Sequence, residues 1–388
     1  MDFTLSAEQQ QIARLVDRIC ADFDDGYWLA RDREAKFPEE FHRAVADAGL
    51  LGIAMPQAHG GSGLGITEAA IMMRAIAESG AGMAGASSVH MNIFGLQPVV
   101  VFGTPAQQAR MLPPLIRGEE KACFAVTEPD AGLNTPRIKT RAVRRGGDWV
   151  ISGQKIWIST AQVAHKALIL ARTTPFEEVA RKTDGLSLFY TELDRSCAEI
   201  RVIEKLGRHA VDSNMIFFDE MRVPAENLIG EVGQGFRQIL HGLNPERVLI
   251  AAEAVGIGQA ALRRAGQYAK ERIVFDRPIG QNQSIQHPLA RCWMALEAAW
   301  LMVLKAASLY DAGAPCGAEA NSAKYLAAEA GFTACETAVM TLGGMGYSAE
   351  YHVERYLRES LIPRIAPISP QMILNHIAER VLGLPRSY

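Results

Sequence analysis

The six cysteines of this chain, Cys20, Cys123, Cys197, Cys292, Cys316 and Cys335, show no CxxC or other ligand spacing. That argues against a zinc site and a disulfide framework and leaves them reading as buried thiols. The nine histidines include no HExxH and no histidine-rich tract, so a metal catalyst has no visible ligands. Basic charge is not in excess either: 40 Lys and Arg face 43 Asp and Glu, a formal net charge of -3, and nothing favours nucleic acid as a partner. Long apolar runs are missing. Stretches such as VLIAAEAVGIG are broken by Glu or Gly well short of the roughly 20 residues a bilayer crossing needs, so no membrane span is expected. The start, MDFTLSAEQQQ, has neither secretory nor transit-peptide character, and a cytoplasmic location is the expectation.

What is present is a chain of 388 residues, 48% of them hydrophobic, enough to bury a large core over two or three units. Helical periods fill the first stretch, where SAEQQQIARLVDRICADF offers Ser6 as an N-cap with Gln9 three residues on. HGGSGLG, from His59 to Gly65, is glycine-rich like a phosphate cradle. It lacks the preceding strand and the following Lys-Ser/Thr, and reads as a connecting turn. Near Cys123 the texture changes to β-rich segments, ACFAVTEP, DWVISGQKIWIS, KALILART, LSLFYTEL, IEKLGR and SNMIFFDEMRVP, punctuated by Gly, Asp and Pro. From Gly235 the helical period returns in three long stretches that read as a bundle. The expected fold class is α+β: an N-terminal helical domain over 1–122, a middle antiparallel β domain over 123–233 and a C-terminal four-helix bundle over 234–388.

Two features of HGLNPERVLIAAEAVGIG invite a chemical reading. Gly256-Ile257-Gly258-Gln259-Ala260-Ala261 fits GxGxxA by letter, but a dinucleotide fingerprint sits between a strand and a helix, and this one lies within an Ala-rich helix. Close helix packing is the expectation there. Glu246 has Gly242, Leu243, Leu249 and Ile250 as its helical neighbours, so no cation on its own face makes it a solvated pair. A carboxylate on an apolar stripe either finds a partner on another helix or has a raised pKa and can serve as a general base. Glu253, one heptad along, is an equal rival on this pattern.

Five strings in order resemble the acyl-CoA dehydrogenase family over nearly the whole chain: TEPDAG (127–132), GQKIWIS (153–159), KLGRHAVDSNMIFFDEMRVP (205–224), ERIVFDRPIGQNQSIQ (271–286) and LGGMGYSAEYHVERYLRE (342–359). The resemblance implies non-covalent FAD, bound partly by a second subunit of a homotetramer or homodimer. It also implies an acyl-CoA substrate and an electron-transfer flavoprotein as redox partner. Carried over by position, it implies flavin contacts at Thr127, Trp157 and Ser159, with Phe124, Val126 and Ile158 beside them. Arg272, Phe275 and Gln283 would serve the phosphate and adenine side, Gly343 and Gly344 the partner's FAD, and Ser369 and Gln371 further flavin contacts. Leu133, Asn244 and Arg247 would meet the substrate.

Three departures qualify that picture. Where many members read IYEGT with a catalytic glutamate, this chain reads Ile365-Ala366-Pro367-Ile368-Ser369, and Pro367 offers neither a carboxylate nor an N–H for the thioester oxygen unless Ile368 donates instead. Members of the isovaleryl-CoA and long-chain type take the base from the preceding helix in a string similar to GLDLER, which Gly242-Leu243-Asn244-Pro245-Glu246-Arg247 matches with Glu246 as base. Leu133 replaces a serine that meets CoA, and Met340 stands where a glutamine often faces FAD. The implied activity is α,β-dehydrogenation of an acyl-CoA thioester, possible for branched or long chains, to trans-2-enoyl-CoA. An oxidase, desulfinase or hydroxylase on the same fold, or a non-catalytic flavin- or CoA-ester-binding protein, stays open.

Overall fold

The structure is a computed structural model and describes residues 4–387. Seven helices form the first part: α1 (Ala7–Ala21), α2 (Asp25–Glu34), α3 (Glu39–Asp47), α4 (Ile66–Ile76), α5 (Gly82–Phe94), α6 (Gln97–Phe102) and α7 (Pro105–Ile116). The expected start of α1 is a full capping box: Gln9 N–H donates to Ser6 Oγ at 3.1 Å and Ser6 N–H to Gln9 Oε1 at 3.0 Å. The glycine-rich stretch before α4 is the expected turn. The N-terminus of α4 is occupied by a protein carboxylate, with Ile66 and Thr67 N–H donating to Asp311 at 2.7 and 2.9 Å, which satisfies the free donors of the first turn.

The middle part holds β1 (Ala122–Ala125), β2 (Arg141–Arg145), β3 (Asp148–Ser159), β4 (Lys166–Arg172), β5 (Leu186–Glu192), β6 (Ala198–Val202), β7 (Ser213–Val223) and β8 (Leu228–Ile229). They make one sheet in the order β6-β7-β3-β2-β4-β5-β8, with β1 beside β4. Pairing is mainly antiparallel as expected, but β1 and β2 each meet β4 in parallel. One expected strand is absent: IEKLGR is a loop after β6. Its polar residues find partners off the ladder, Lys205 Nζ donating to Val211 O at 2.9 Å, and Arg208 takes a left-handed φ of 57°, outside regular strand geometry.

The last part is built on α8 (Gly235–Glu271), α9 (Gln283–Asp311) and α10 (Gly317–Leu342), with the short hairpin β9 (Ile273–Val274) and β10 (Arg277–Pro278) between the first two. The shorter α11 (Val353–Ser360), α12 (Ile362–Ile365) and α13 (Pro370–Arg380) lie against α10. The GxGxxA string is helix packing, as expected. A Cβ on Gly256 would stand 2.4 Å from Arg74 O, and one on Gly258 2.7 Å from Leu296 Cδ2, so glycine sets how closely α4 and α9 approach α8.

One apolar core joins α4 and α5 to α8, α9 and α10; a second fills the inside of the sheet; a third lies between the sheet and α6–α7. Five of the cysteines are buried and Cys197 is half-buried; all six are free thiols. Among the described helices α9 is long and apolar enough to cross a membrane by length and composition. Its stripe of Cys292, Leu296, Ala299, Trp300 and Val303 is buried in the shared core, the position of a core helix in the bundle.

Candidate active site

Strand β3 supplies one wall through an irregularity. Its register with β7 slips between Lys155 and Ile158, so the side chains on both sides of the slip, Lys155 and Ile158, are buried in the domain. Trp157, at a left-handed φ of 62°, is thrown outward and stays 56% exposed. A bulge re-aims a side chain in this way, and an aromatic at positive φ is strained enough to need support. Support comes from Lys155, whose Nζ donates to Val126 O and Glu128 Oε1, each at 2.9 Å. Glu128 also accepts Thr140 N–H at 2.9 Å and Lys139 N–H at 2.5 Å, while Ile156 N–H donates to Thr127 O at 2.9 Å. Burial pushes Lys155 down to about 8 against the pull of Glu128. For Glu128 burial works upward, but the Lys155 charge and the N–H donors outweigh it and hold the carboxyl below its usual range. Thr127 and Trp157 are thereby fixed in register.

Helix α8 supplies the opposing carboxylates. Pro245 lies inside the helix and has no N–H for the carbonyl one turn back. Glu246 follows it, half-buried, with no hydrogen bond and no ion pair among the described residues. Burial raises its carboxyl to about 7, opposed by the charges of His90 and Arg247 and assisted by Glu253. Glu253 is fully buried and its Oε1 is bonded to His90 Nδ1 on α5. Burial works against a charged His90, yet the charge and hydrogen bond of Glu253, with the charge of Glu246, hold the imidazole above its ordinary value. The rivalry between the two acids is thus unequal: one is committed to a partner and the other is free.

A third group is absent from the site residues read from the sequence. Arg208 reaches from the loop after β6 to Ser159 Oγ at 2.8 Å, Ser87 Oγ at 3.1 Å and Ser213 Oγ at 3.3 Å. It therefore ties the Trp157 wall to α5, where His90 stands one turn beyond Ser87. Nothing local marks Arg208 or His90; residues 87 and 208 are joined only by folding.

The remaining candidates fall into three places. Phe124, half-buried, packs at a tilt against Phe94 at 5.5 Å between ring centroids, and Val126 lends its carbonyl to Lys155. The Ile158 side chain is in the β-domain core, so only its backbone is left for a cofactor contact. Arg272, Phe275, Gln283, Gly343 and Gly344 are all exposed, Phe275 at 92%. A Cβ on Gly343 or Gly344 would meet nothing within 4 Å, and Gly343 has a φ of 60°. Ser369 caps α13, accepting from Met372 N–H at 3.4 Å, with exposed Gln371 beyond it. The Pro367 turn is held by buried Lys324, which donates to Ile368 O at 2.7 Å. Asn244 and Arg247 bond each other at 2.9 Å beside Cys316, and Leu133 is exposed in the loop after Thr127.

Three family models match in order: the acyl-CoA dehydrogenase N-terminal domain over residues 6–119, the middle domain over 123–221 and the C-terminal domain over 233–382. The chain belongs to the acyl-CoA dehydrogenase family. It is 38% identical over 391 aligned residues to acyl-CoA dehydrogenase FadE12 of Mycobacterium tuberculosis, covering 100% of this chain and 99% of the relative. Butyryl-CoA dehydrogenase from Megasphaera elsdenii superposes with a TM-score of 0.93 at 29% identity, covering 98% of this chain and 100% of the other. A glutaryl-CoA dehydrogenase in complex with glutaryl-CoA does so with a TM-score of 0.94 at 31% identity, covering 100% and 98%. As an acyl-CoA dehydrogenase the protein is an oxidoreductase acting on CH–CH bonds of acyl-CoA, in a family of flavoproteins.

The residues present suit a flavin. Trp157 is an outward aromatic with Thr127 and Ser159 beside it, and the open glycines with exposed Arg272 and Phe275 offer a phosphate- and ring-binding surface of the kind a cofactor shared between subunits needs.

Proposed function

We propose that the protein removes the α and β hydrogens of an acyl-CoA thioester to give trans-2-enoyl-CoA, with Glu246 as the base, FAD as cofactor and an electron-transfer flavoprotein as acceptor. The observation that carries the assignment is the contrast on α8: Glu246 has no bonded partner and titrates near neutrality, whereas Glu253 is bound to His90. A base must lose its proton at the working pH and still be basic enough to take one from carbon, and a value near 7 meets both demands. When bound, FAD would supply the acceptor for the β-hydrogen and its electron pair.

The chain's own residues divide the remaining work. Glu246 takes the α-proton and becomes a neutral acid, stable in its half-buried setting. Thr127, Trp157 and Ser159 hold the flavin ring against the substrate, with Lys155 and Glu128 bracing them from inside the sheet. Negative charge gathers on the thioester oxygen as the proton leaves; with no N–H at Pro367, the next residue's N–H, that of Ile368, unbonded among the described residues, takes the donor's place. Arg272, Phe275, Gln283, Gly343 and Gly344 complete a cofactor site across a subunit interface, and exposed Trp293, Met294 and Leu301 on α9 fit further burial in a homodimer or homotetramer. Phe124, Val126, Ile158, Ser369 and Gln371 serve the cofactor by side chain or backbone, while Leu133, Asn244 and Arg247 flank the thioester and its CoA arm.

The test is anaerobic flavin bleaching by a panel of straight and branched acyl-CoA esters, with wild type and Glu246→Gln compared at equal FAD content. Bleaching by wild type and its loss in the variant supports the assignment. Equal bleaching by both proteins removes Glu246 from the base role, and no bleaching by any ester removes the dehydrogenase reading.

A further inference from the structure

The Glu253–His90 pair is more than a closed ion pair. Glu253 holds His90 by Nδ1 from behind, the imidazole keeps 14% exposure, and no hydrogen bond reaches Nε2 among the described residues. The ring's second nitrogen is therefore free, and Glu246 stands near enough for its charge to act on the ring. Burial and the Arg208 charge oppose a charged ring, but the carboxylates of Glu253 and Glu246 outweigh them and favour the imidazolium, the form in which the free Nε2 is an N–H donor.

Arg208 stands next to this ring with only hydroxyl partners, Ser87, Ser159 and Ser213. Among the described residues it has no carboxylate within ion-pair distance, and its buried Nε is without a partner. The acceptors of the cluster are turned inward: Glu253 is fully buried and its Oε2 is enclosed without a donor. What remains on offer between the proposed base and the proposed flavin wall is a pair of cationic donors. A plain hydrocarbon tail laid against them would strip their water and return nothing, whereas an acceptor oxygen would form charge-assisted hydrogen bonds.

We propose that His90 and Arg208 form a polar subsite that selects CoA thioesters whose acyl chain carries an acceptor oxygen, a hydroxyl or a carboxylate, over unsubstituted chains. This rests on the site being the acyl-CoA site proposed above. Phe94, packed edge-on to His90 at 4.8 Å between ring centroids, provides the apolar contact for the methylenes leading to that oxygen.

The experiment is a binding titration of the Glu246→Gln holoenzyme, followed by perturbation of the oxidised flavin spectrum, with four- to six-carbon CoA esters in three forms: unsubstituted, ω-hydroxy and ω-carboxy. At one chain length an oxygenated ester should bind at least about tenfold more tightly than its unsubstituted counterpart, the yield of one added charged hydrogen bond. The two oxygenated arms tell hydroxyl from carboxylate. His90→Gln and Arg208→Gln, each placed in the Glu246→Gln background, should bring the ratio of oxygenated to unsubstituted affinity toward one. Unsubstituted esters that bind as tightly or more tightly at every length overturn the proposal, as does a flavin spectrum that no ester perturbs. If either substitution costs FAD, the ranking in Glu246→Gln alone decides. Because that ranking needs no turnover, it is separate from the dehydrogenase reading, which wild-type bleaching tests.

Discussion

Glu246 and Glu253 occupy the same face of one helix, one heptad apart, and the fold treats them in opposite ways. Glu253 is sealed among apolar side chains and bound to His90, so its charge is spent on orienting an imidazole. Glu246, next to Pro245 and half-buried, is bonded to nothing among the described residues and pushed up to about 7. Burial alone therefore does not make a catalytic acid or base. A partner converts a buried carboxylate into a structural group, and only the one without a partner is free to exchange protons with a substrate.

The strongest way to break this comparison is Glu246→Gln. Loss of a general base should lower the rate of flavin reduction by roughly 10²–10⁴-fold with FAD content unchanged, measured by anaerobic stopped-flow with an ester that bleaches wild type. Substitution of the committed partner should act on the fold instead. Glu253→Ala leaves His90 without its buried partner, a class of change that costs about 3–5 kcal/mol, read as a lower denaturant midpoint. Lys155→Ala breaks the equivalent pair in the β domain, where Lys155 and Glu128 are both buried, and should show a cost of similar size, about 3–5 kcal/mol. It should also weaken retention of FAD, because Thr127 and Trp157 lose their brace; FAD per chain after gel filtration checks that.

A subtler outcome concerns pH. Glu246 must be ionised to act, so flavin reduction should rise with pH through about 7. The His90 charge lowers Glu246, so His90→Gln should move that midpoint upward, and a midpoint that stays put would separate the two residues. The same carboxyl gives the smallest effect. Held at about 7 in the folded chain against 4.5 for the free group, it takes up a proton more readily folded than unfolded. Its contribution to stability therefore falls as pH rises through that window. Glu246→Gln should flatten the slope of unfolding free energy between those limits, measured by denaturant titration at several pH values.

Much of the architecture was legible. The helical period, the β-rich middle and the capping box at Ser6 are local patterns, and local patterns survive folding. The misreading of IEKLGR shows the limit: a short apolar-polar alternation looks like a strand until side-chain partners draw it off the ladder. At the site, the apolar neighbours of Glu246 announced an unusual carboxylate, but the same pattern fitted Glu253, and only His90, 163 positions away in sequence, distinguished them. Trp157 could be named from its string, yet its outward turn depends on a register slip against β7 that no spacing within β3 reveals. Ile158 shows the reverse, a residue next in line whose side chain the same slip buries.

By itself the sequence determined the periods of its elements, the glycines that let helices touch, and the short list of ionisable groups placed among apolar ones, because each of these depends on near neighbours along the chain. The tertiary structure alone decided which acid would be paired, that Arg208 and His90 would meet at the same wall, and which way Trp157 would face. Those outcomes depend on which distant groups are brought within a few ångströms, where desolvation and Coulomb interactions are strong, and chain order carries no record of that distance.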